Sequence, residues 1–189
     1  MSVSACVVAG RVAVSEIRPD PIPRELIEKL LSSGSQAPNH YKVRPWRFLV
    51  LTGEGLKHLG DVLAKSLSLK AEKISLEALD RERAKPLRAP MIITVAVDKP
   101  AEPKISEVEN ICAAAAACQN ILLAAHDMGL AAIWRTGPAA IDPLVKEFFG
   151  LEKDQHLIAF LYIGYPVKPP VAPQRPDHSD RTVWMDNKN

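Results

Sequence analysis

Cysteine is scarce in this chain. Cys6, Cys112 and Cys118 are an odd set among 189 residues, which argues against a disulfide framework. Cys112 and Cys118 stand six apart in a stretch that reads as helix, about 240° around it, so they cannot share a metal. Small buried hydrophobes is the expectation for all of them, and His58, His126, His156 and His178 make no metal-type spacing. A surplus of either charge is missing as well. With 24 basic and 22 acidic side chains the net charge is +2, which gives no general attraction to nucleic acid or to an anionic membrane, so any anion site must be local. The apolar opening, residues 1–10, is short and lacks a positive leader, and no later run approaches the roughly 20 apolar residues of a membrane span. The expected location is therefore the cytoplasm, with neither nucleic acid nor membrane as partner. Internal repeats, low-complexity blocks and obvious linkers are absent too.

What is present suffices for one core. A hydrophobic content of 47% over 189 residues suits a single domain, residues 1–189, and would be cramped as two. Residues 2–14 are a weak helix candidate interrupted by Gly10. Pro23 can open a helix carrying Leu26, Ile27, Leu30 and Leu31 on one face and ending near Gly34. Apolar runs at residues 46–51, 91–97, 130–134 and 157–162 read as strands. Between them, residues 56–67 and the charged residues 70–85 are helical in pattern, residues 105–128 form the longest helix with Gly129 as its C-cap, and Asp142 caps a short helix before Gly150. The run Ala113 to Ala117 would let a second helix backbone come close, as at the centre of a dimer. Residues 166–189 are a Pro-rich C-terminal arm expected to wrap over a partner subunit. Strands separated by helices of unequal length, without a βαβ rhythm, argue for an α+β fold. Gly53-Glu54-Gly55 after a strand imitates the start of a dinucleotide-binding fold, but the third glycine would fall at His58 and no acidic-ended second strand follows.

The chain changes character within residues 36–52. Residues 37–44 have the Pro, Asn and charges of an irregular loop, and residues 46–51 are a β-prone run introduced by Pro45, which is tolerable at a strand's first position. A loop fixed by the sheet at one end can present Asn39, His40 and Lys42 to a ligand with little freedom left to lose. Ala37-Pro38-Asn39-His40 followed by Arg44-Pro45-Trp46-Arg47-Phe48 resembles a signature of the FMN-dependent nitroreductase family, in its short, single-domain branch, with Arg44 where Gln is usual. Arg11 lies at the position of that family's Arg-Arg-Ser contact to phosphate and ribityl, and Gly129 to Gly137 (Gly-Leu-Ala-Ala-Ile-Trp-Arg-Thr-Gly) resembles its Gly-x-x-x-Ile-Trp-Arg-Ser-Gly.

The resemblance implies a mixed, mostly antiparallel sheet flanked by helices, in an intertwined homodimer with FMN at the interface. It further implies hydride transfer from NAD(P)H through FMN to a small-molecule acceptor such as a nitroaromatic or quinone. The cofactor-binding residues it marks are Arg11, Val12 and Ala13; Gln36, Pro38, Asn39 and His40, the last meeting the flavin from the neighbouring subunit; and Trp134, Arg135 and Thr136. Residues 124–129 correspond to a segment linked with NADPH. Val12 and Ala13 replace the family's Arg-Ser, so another cation must serve the phosphate: Arg135 is the first candidate, with Arg175 and Arg181 in reserve. Flavin chemistry rests on positioning and calls for no side-chain nucleophile, and none is identified here. Lys42, Arg44 and Arg47 make a small basic patch that can approach the flavin or a nicotinamide phosphate. An alternative reading is a flavin-binding or sequestering homodimer without turnover, motivated by the lost Arg-Ser pair.

Overall fold

The computed structural model describes residues 5–70, 73–172 and 174–185, and its account of side chains begins at Val7. Helix α1, Ala5–Gly10, is shorter than the candidate at residues 2–14, whose first residues lie outside the described ones. Past Gly10 the chain is not helical. Helix α2, Arg24–Gly34, starts immediately after Pro23, and Pro23 accepts the first backbone bonds through its carbonyl. Strand β1, Trp46–Thr52, leads into α3, Glu54–Lys70, and α4, Leu76–Ala84. Then come β2, Met91–Val97, and the 21-residue α5, Glu107–Asp127. Strand β3, Ala131–Arg135, the short helices α6, Pro138–Ile141, and α7, Pro143–Phe148, and β4, His156–Gly164, complete the order.

The four strands form one sheet in the order β1-β2-β4-β3, antiparallel at every pairing. The α+β expectation holds, and the sheet is antiparallel throughout rather than mixed among the described strands. That also disposes of the dinucleotide-binding alternative, which needs parallel strands. Gly53, at φ +49°, supplies the left-handed turn between β1 and α3.

Strand β2 is buried along its whole length, because helices cover both faces of the sheet. Met91, Ile93, Val95 and Val97 face α2 and α5, together with Ala113, Ala114, Ala117 and Ile121. Ile92 and Ala96 face α3 and α7, together with Leu56, Leu59, Phe160 and Val145. Burying each large aliphatic side chain contributes about 1.5–3 kcal/mol. Helix α5 begins with a capping box in which Ser106 and Glu109 satisfy each other's backbone N–H groups. By length and mean hydropathy, 1.4, this helix could cross a membrane, contrary to the expectation that no run comes near that; here its small residues pack on the sheet and α2. The cysteine expectation needs a correction. Cys118 is buried, and burial pushes its thiol up to about 12, but Cys112 lies on the exposed side of α5; six residues bring the chain round to a different face. The side chain of Cys6 lies outside the described residues.

Asp142 ties α3 to α7. It is buried, its Oδ1 caps α7 by accepting from Leu144 N–H at 2.9 Å and Val145 N–H at 3.3 Å, and its Oδ2 accepts from Ser66 and Lys70 of α3. Burial pushes its carboxyl up, but the bonds from Lys70, Ser66 and Val145 outweigh that and hold it below the usual carboxylate range. A carboxyl lowered in the folded state stabilises above its unfolded value of about 3.9 and loses that contribution as pH falls through the folded value. Asp142→Asn is accordingly expected to cost about 2 kcal/mol at neutral pH, with the gap to the unsubstituted protein closing in acid. Urea midpoints of both proteins between pH 7 and pH 3 check this; a gap constant with pH would mean that the charge contributes nothing.

Candidate functional site

The residues marked in sequence fall into two groups, one along β3 and one ahead of β1. In the first, the chain leaving α1 comes up against β3: Val14 N–H donates to Ala132 O at 3.1 Å, which brings Arg11, Val12 and Ala13 to the flank of that strand. Arg11 is half-buried. The C-terminal arm returns to the same place, where Arg175 Nη2 donates to the Arg11 carbonyl at 2.8 Å. Beyond Ala132, Trp134 is anchored by its Nε1–H, which donates to Ile158 O at 3.0 Å. Successive strand residues point to opposite faces, so Trp134 packs on the α5 side and Arg135 turns to the other.

Arg135 projects into a cavity of about 420 Å³ lined by Lys85, Arg88, Trp134, Thr136 and Tyr162. Its Cζ is 5.7 Å from the Tyr162 ring centroid, and its Nε is buried with no hydrogen-bond partner. Lys85 is paired with Glu82, whereas Arg88 and Arg135 have no carboxylate partner among the described residues. Burial pushes the Tyr162 hydroxyl up, against the opposing pull of Arg135 and Arg88. An orphaned donor beside uncompensated cations suits an electron-rich, anion-bearing ligand. Lys85, Arg88 and Tyr162 were not picked out from sequence. The usable signal was that Lys85 and Arg88 stand just ahead of a buried strand, as the Asn-His loop does.

The second group precedes β1. Gln36 lines a groove of about 340 Å³ with Lys29, Ser33, Asn120, Ala124 and Asp127. Pro38 is exposed and Asn39 closes the loop, its Oδ1 accepting from Arg44 N–H at 2.8 Å and its Nδ2 donating to Ala37 O at 3.2 Å. Within that closure Tyr41, Lys42 and Arg44 have φ of 49°, 58° and 50°, the left-handed region, which costs a non-glycine residue about 1–2 kcal/mol. His40 is exposed, with Nδ1 3.4 Å from Glu109 at the start of α5 and its ring edge-on to Tyr41 at 4.1 Å.

Gly10 lies against His126 in the last turn of α5, and His40 against Glu109 in the first turn, so the helix holds His40 and the end of α1, next to Arg11, about 25 Å apart. Strands β1 and β3 are also the two edges of the sheet, about 14 Å from one another. One chain therefore brings Arg11, Val12 and Ala13 toward Trp134, Arg135 and Thr136, and keeps Asn39 and His40 away from them.

The Nitroreductase family profile matches residues 8–165. The chain belongs to this family. It is 34% identical over 148 residues to the Escherichia coli protein named "Putative NAD(P)H nitroreductase YdjA", an alignment covering 78% of this chain and 80% of that one. Among solved structures, the nitroreductase-like family protein from Bacillus cereus superposes with a TM-score of 0.84 at 27% identity, covering 99% of this chain and 97% of the other. The FMN-dependent nitroreductase NfnB from Mycobacterium smegmatis, in complex with NADPH, shares the fold with a TM-score of 0.74 at 18% identity, covering 97% and 98%. As in those proteins, the nitroreductase fold extends over nearly the whole of this chain.

Because Asn39 uses its amide on the loop itself, Asn39→Ala is expected to loosen residues 39–44 rather than the core. Hydrogen exchange at the Arg44 amide should accelerate about fivefold, for a bond worth about 1 kcal/mol, while the β2 amides stay protected. Unchanged exchange at Arg44 would show that the loop is held by other contacts.

Proposed function

We propose that this nitroreductase-family chain is an FMN-dependent oxidoreductase that works as a homodimer, taking electrons from NAD(P)H and delivering them to a small acceptor such as a nitroaromatic or quinone. The observation that carries the reading is the cavity at the Trp134-Arg135-Thr136 turn, lined by Arg88 and containing an unpartnered guanidinium N–H, at the end of the same strand on whose flank Arg175 bonds the Arg11 backbone. When bound, the flavin supplies the redox chemistry: it takes up electrons from a nicotinamide and passes them on.

The residues divide the work. Arg11 and Arg175 hold the phosphate; the structure favours Arg175 over Arg135 for this, since Arg175 already bonds the Arg11 backbone while Arg135 turns to the opposite face of the sheet. Arg175 thereby stands in for the cation missing at Val12 and Ala13, whose backbone lines the same flank. Arg135, with Arg88, concentrates positive potential where a ring gaining electrons needs it. Trp134 is locked by its bond to Ile158 and fixes the wall beside them. His40, with Pro38 and Asn39, serves the site of the opposite subunit, because about 25 Å of helix separates it from Arg11 of its own chain, while Gln36 lies in the groove at the other end of α5.

Protein purified with its cofactor is expected to be yellow and to bleach anaerobically with NAD(P)H; a protein that takes up no added FMN ends the proposal, and one that takes up FMN but never bleaches is a flavin-sequestering dimer instead. Arg11→Ala and Arg175→Ala should each weaken FMN binding by about 1–3 kcal/mol. Composite sites make a sharper demand. Arg11→Ala and His40→Ala subunits, mixed and allowed to exchange, should recover about a quarter of the original flavin-reduction activity, since half of the dimers regain one intact site. No recovery on mixing would show that each chain completes its own site.

A further inference from the structure

The basic patch beside His40 splits in two once its partners are known. Arg47 is committed to Asp98 at 2.6 Å, Lys104 to Glu102 at 2.9 Å, with its ammonium 4.4 Å from the Tyr41 ring centroid, and His40 to Glu109. Lys42 and Arg44 have exposed side chains and no carboxylate partner among the described residues. Among the described residues they are also two of the three non-glycine residues in the left-handed region. Glycine would adopt that turn without strain, so its conformation alone gives no reason for a lysine and an arginine there. The Asn39 side chain holds the turn shut across their backbone, which aims both cations from one rigid loop.

Where they are aimed follows from the composite-site reading above, on which this inference rests. Residues 42 and 44 stand in the turn that His40 opens, closed by Val43 N–H donating to His40 O at 3.2 Å and Arg44 N–H to Asn39 Oδ1 at 2.8 Å, and each side chain extends some way beyond it. With His40 at the ring of the opposite subunit's flavin, side chains projecting past it reach the remote end of a dinucleotide rather than the nicotinamide being oxidised. A phosphate monoester at that end is dianionic and compact, and it suits a fork-shaped guanidinium backed by an ammonium. We propose that Lys42 and Arg44 are specificity-determining residues that clamp the 2′-phosphate of NADPH and make it the preferred reductant over NADH. An ordinary solvated pair of cations would not distinguish the two nucleotides.

The test uses the full-length dimer loaded with FMN and follows anaerobic bleaching under single-turnover conditions against NADPH and NADH. For Lys42→Gln combined with Arg44→Gln, the apparent Kd for NADPH should rise about tenfold or more, about 1.4 kcal/mol, while that for NADH moves less than about twofold. The steeper salt dependence of NADPH binding should disappear with it. Arg44→Lys should keep most of the preference, and Arg44→Gly, which removes charge and strain together, should lose as much as Arg44→Gln. Equal weakening of both nucleotides would assign the pair to the pyrophosphate they share and overturn the proposal, as would an unchanged NADPH to NADH ratio. If the unsubstituted protein bleaches with neither nucleotide, the flavin-enzyme reading fails and takes the clamp with it; if it bleaches with both and only the ratio refuses to move, the clamp alone fails.

Discussion

Everything in this molecule is arranged around the contact between α5 and the sheet. Ala113, Ala114 and Ala117 present almost no side chain to β2 and α2, so the helix axis comes close and its backbone becomes part of the core. The larger Ile121 and Leu122 then fill the space toward the C-terminal end, where Gly34 of α2 leaves no room for even a Cβ against Ile121. Packing at crystal-like density makes such a contact stiff. A helix held this way is a spacer, and its two ends carry the two halves of the candidate site. The separation that keeps His40 from Arg11 is thus a property of the core rather than of any loop.

The same stiffness explains which parts of the structure were legible in the sequence. Strand cores and amphipathic helices announce themselves by period, and each of the strands read at residues 46–51, 91–97, 130–134 and 157–162 is there, the second with the same bounds and the others lengthened or shifted by a residue or two. Facing is harder. The direction of Arg135 was within reach, because adjacent strand residues alternate sides and Trp134 is the more apolar of the two; the resemblance, which treats the turn as one unit, hid that alternation. Exposure of Cys112 was not within reach, since a helix covered on two sides has no single apolar stripe to read. Nor could the sequence place Arg175 on Arg11, across 164 positions, or gather Lys85 and Arg88 with Arg135, because those meetings depend on where strand edges come to lie.

Polar groups in the interior follow a consistent rule, with two exceptions among the described residues, Thr94 Oγ1 and Arg135 Nε. Asp142 is buried but surrounded by donors from two helices, and Asn110 is buried with its amide donating to Asp98 O at 3.0 Å. Each such group joins elements that hydrophobic contact alone would let slide. Arg135 Nε is the exception in charge, for a buried guanidinium N–H left without an acceptor costs about 1–3 kcal/mol. A carboxylate at one of the neighbouring positions would cancel that cost, yet among the described residues none lines the cavity, and Glu82 is taken by Lys85.

Strain and charge at the far end of α5 obey the same logic. Lys42 and Arg44 hold unfavourable backbone angles without gaining an ion pair, and both conditions could be relieved by small changes that leave the fold intact. Stored strain persists where the surroundings over-determine it, and here the determining contact is local: the Asn39 side chain spans the turn, and Pro45 fixes the exit into β1. A net charge of +2 averaged over the surface conceals this arrangement, since nearby acidic residues are spent on the neighbours, Asp98 on Arg47 and Glu102 on Lys104. Neutralising the surrounding cations one by one while leaving the strained pair free produces a small, directed positive field in a chain with almost none overall. A field of that size falls away within about 10 Å at ordinary ionic strength, too short for steering a polyanion and well matched to a single phosphate.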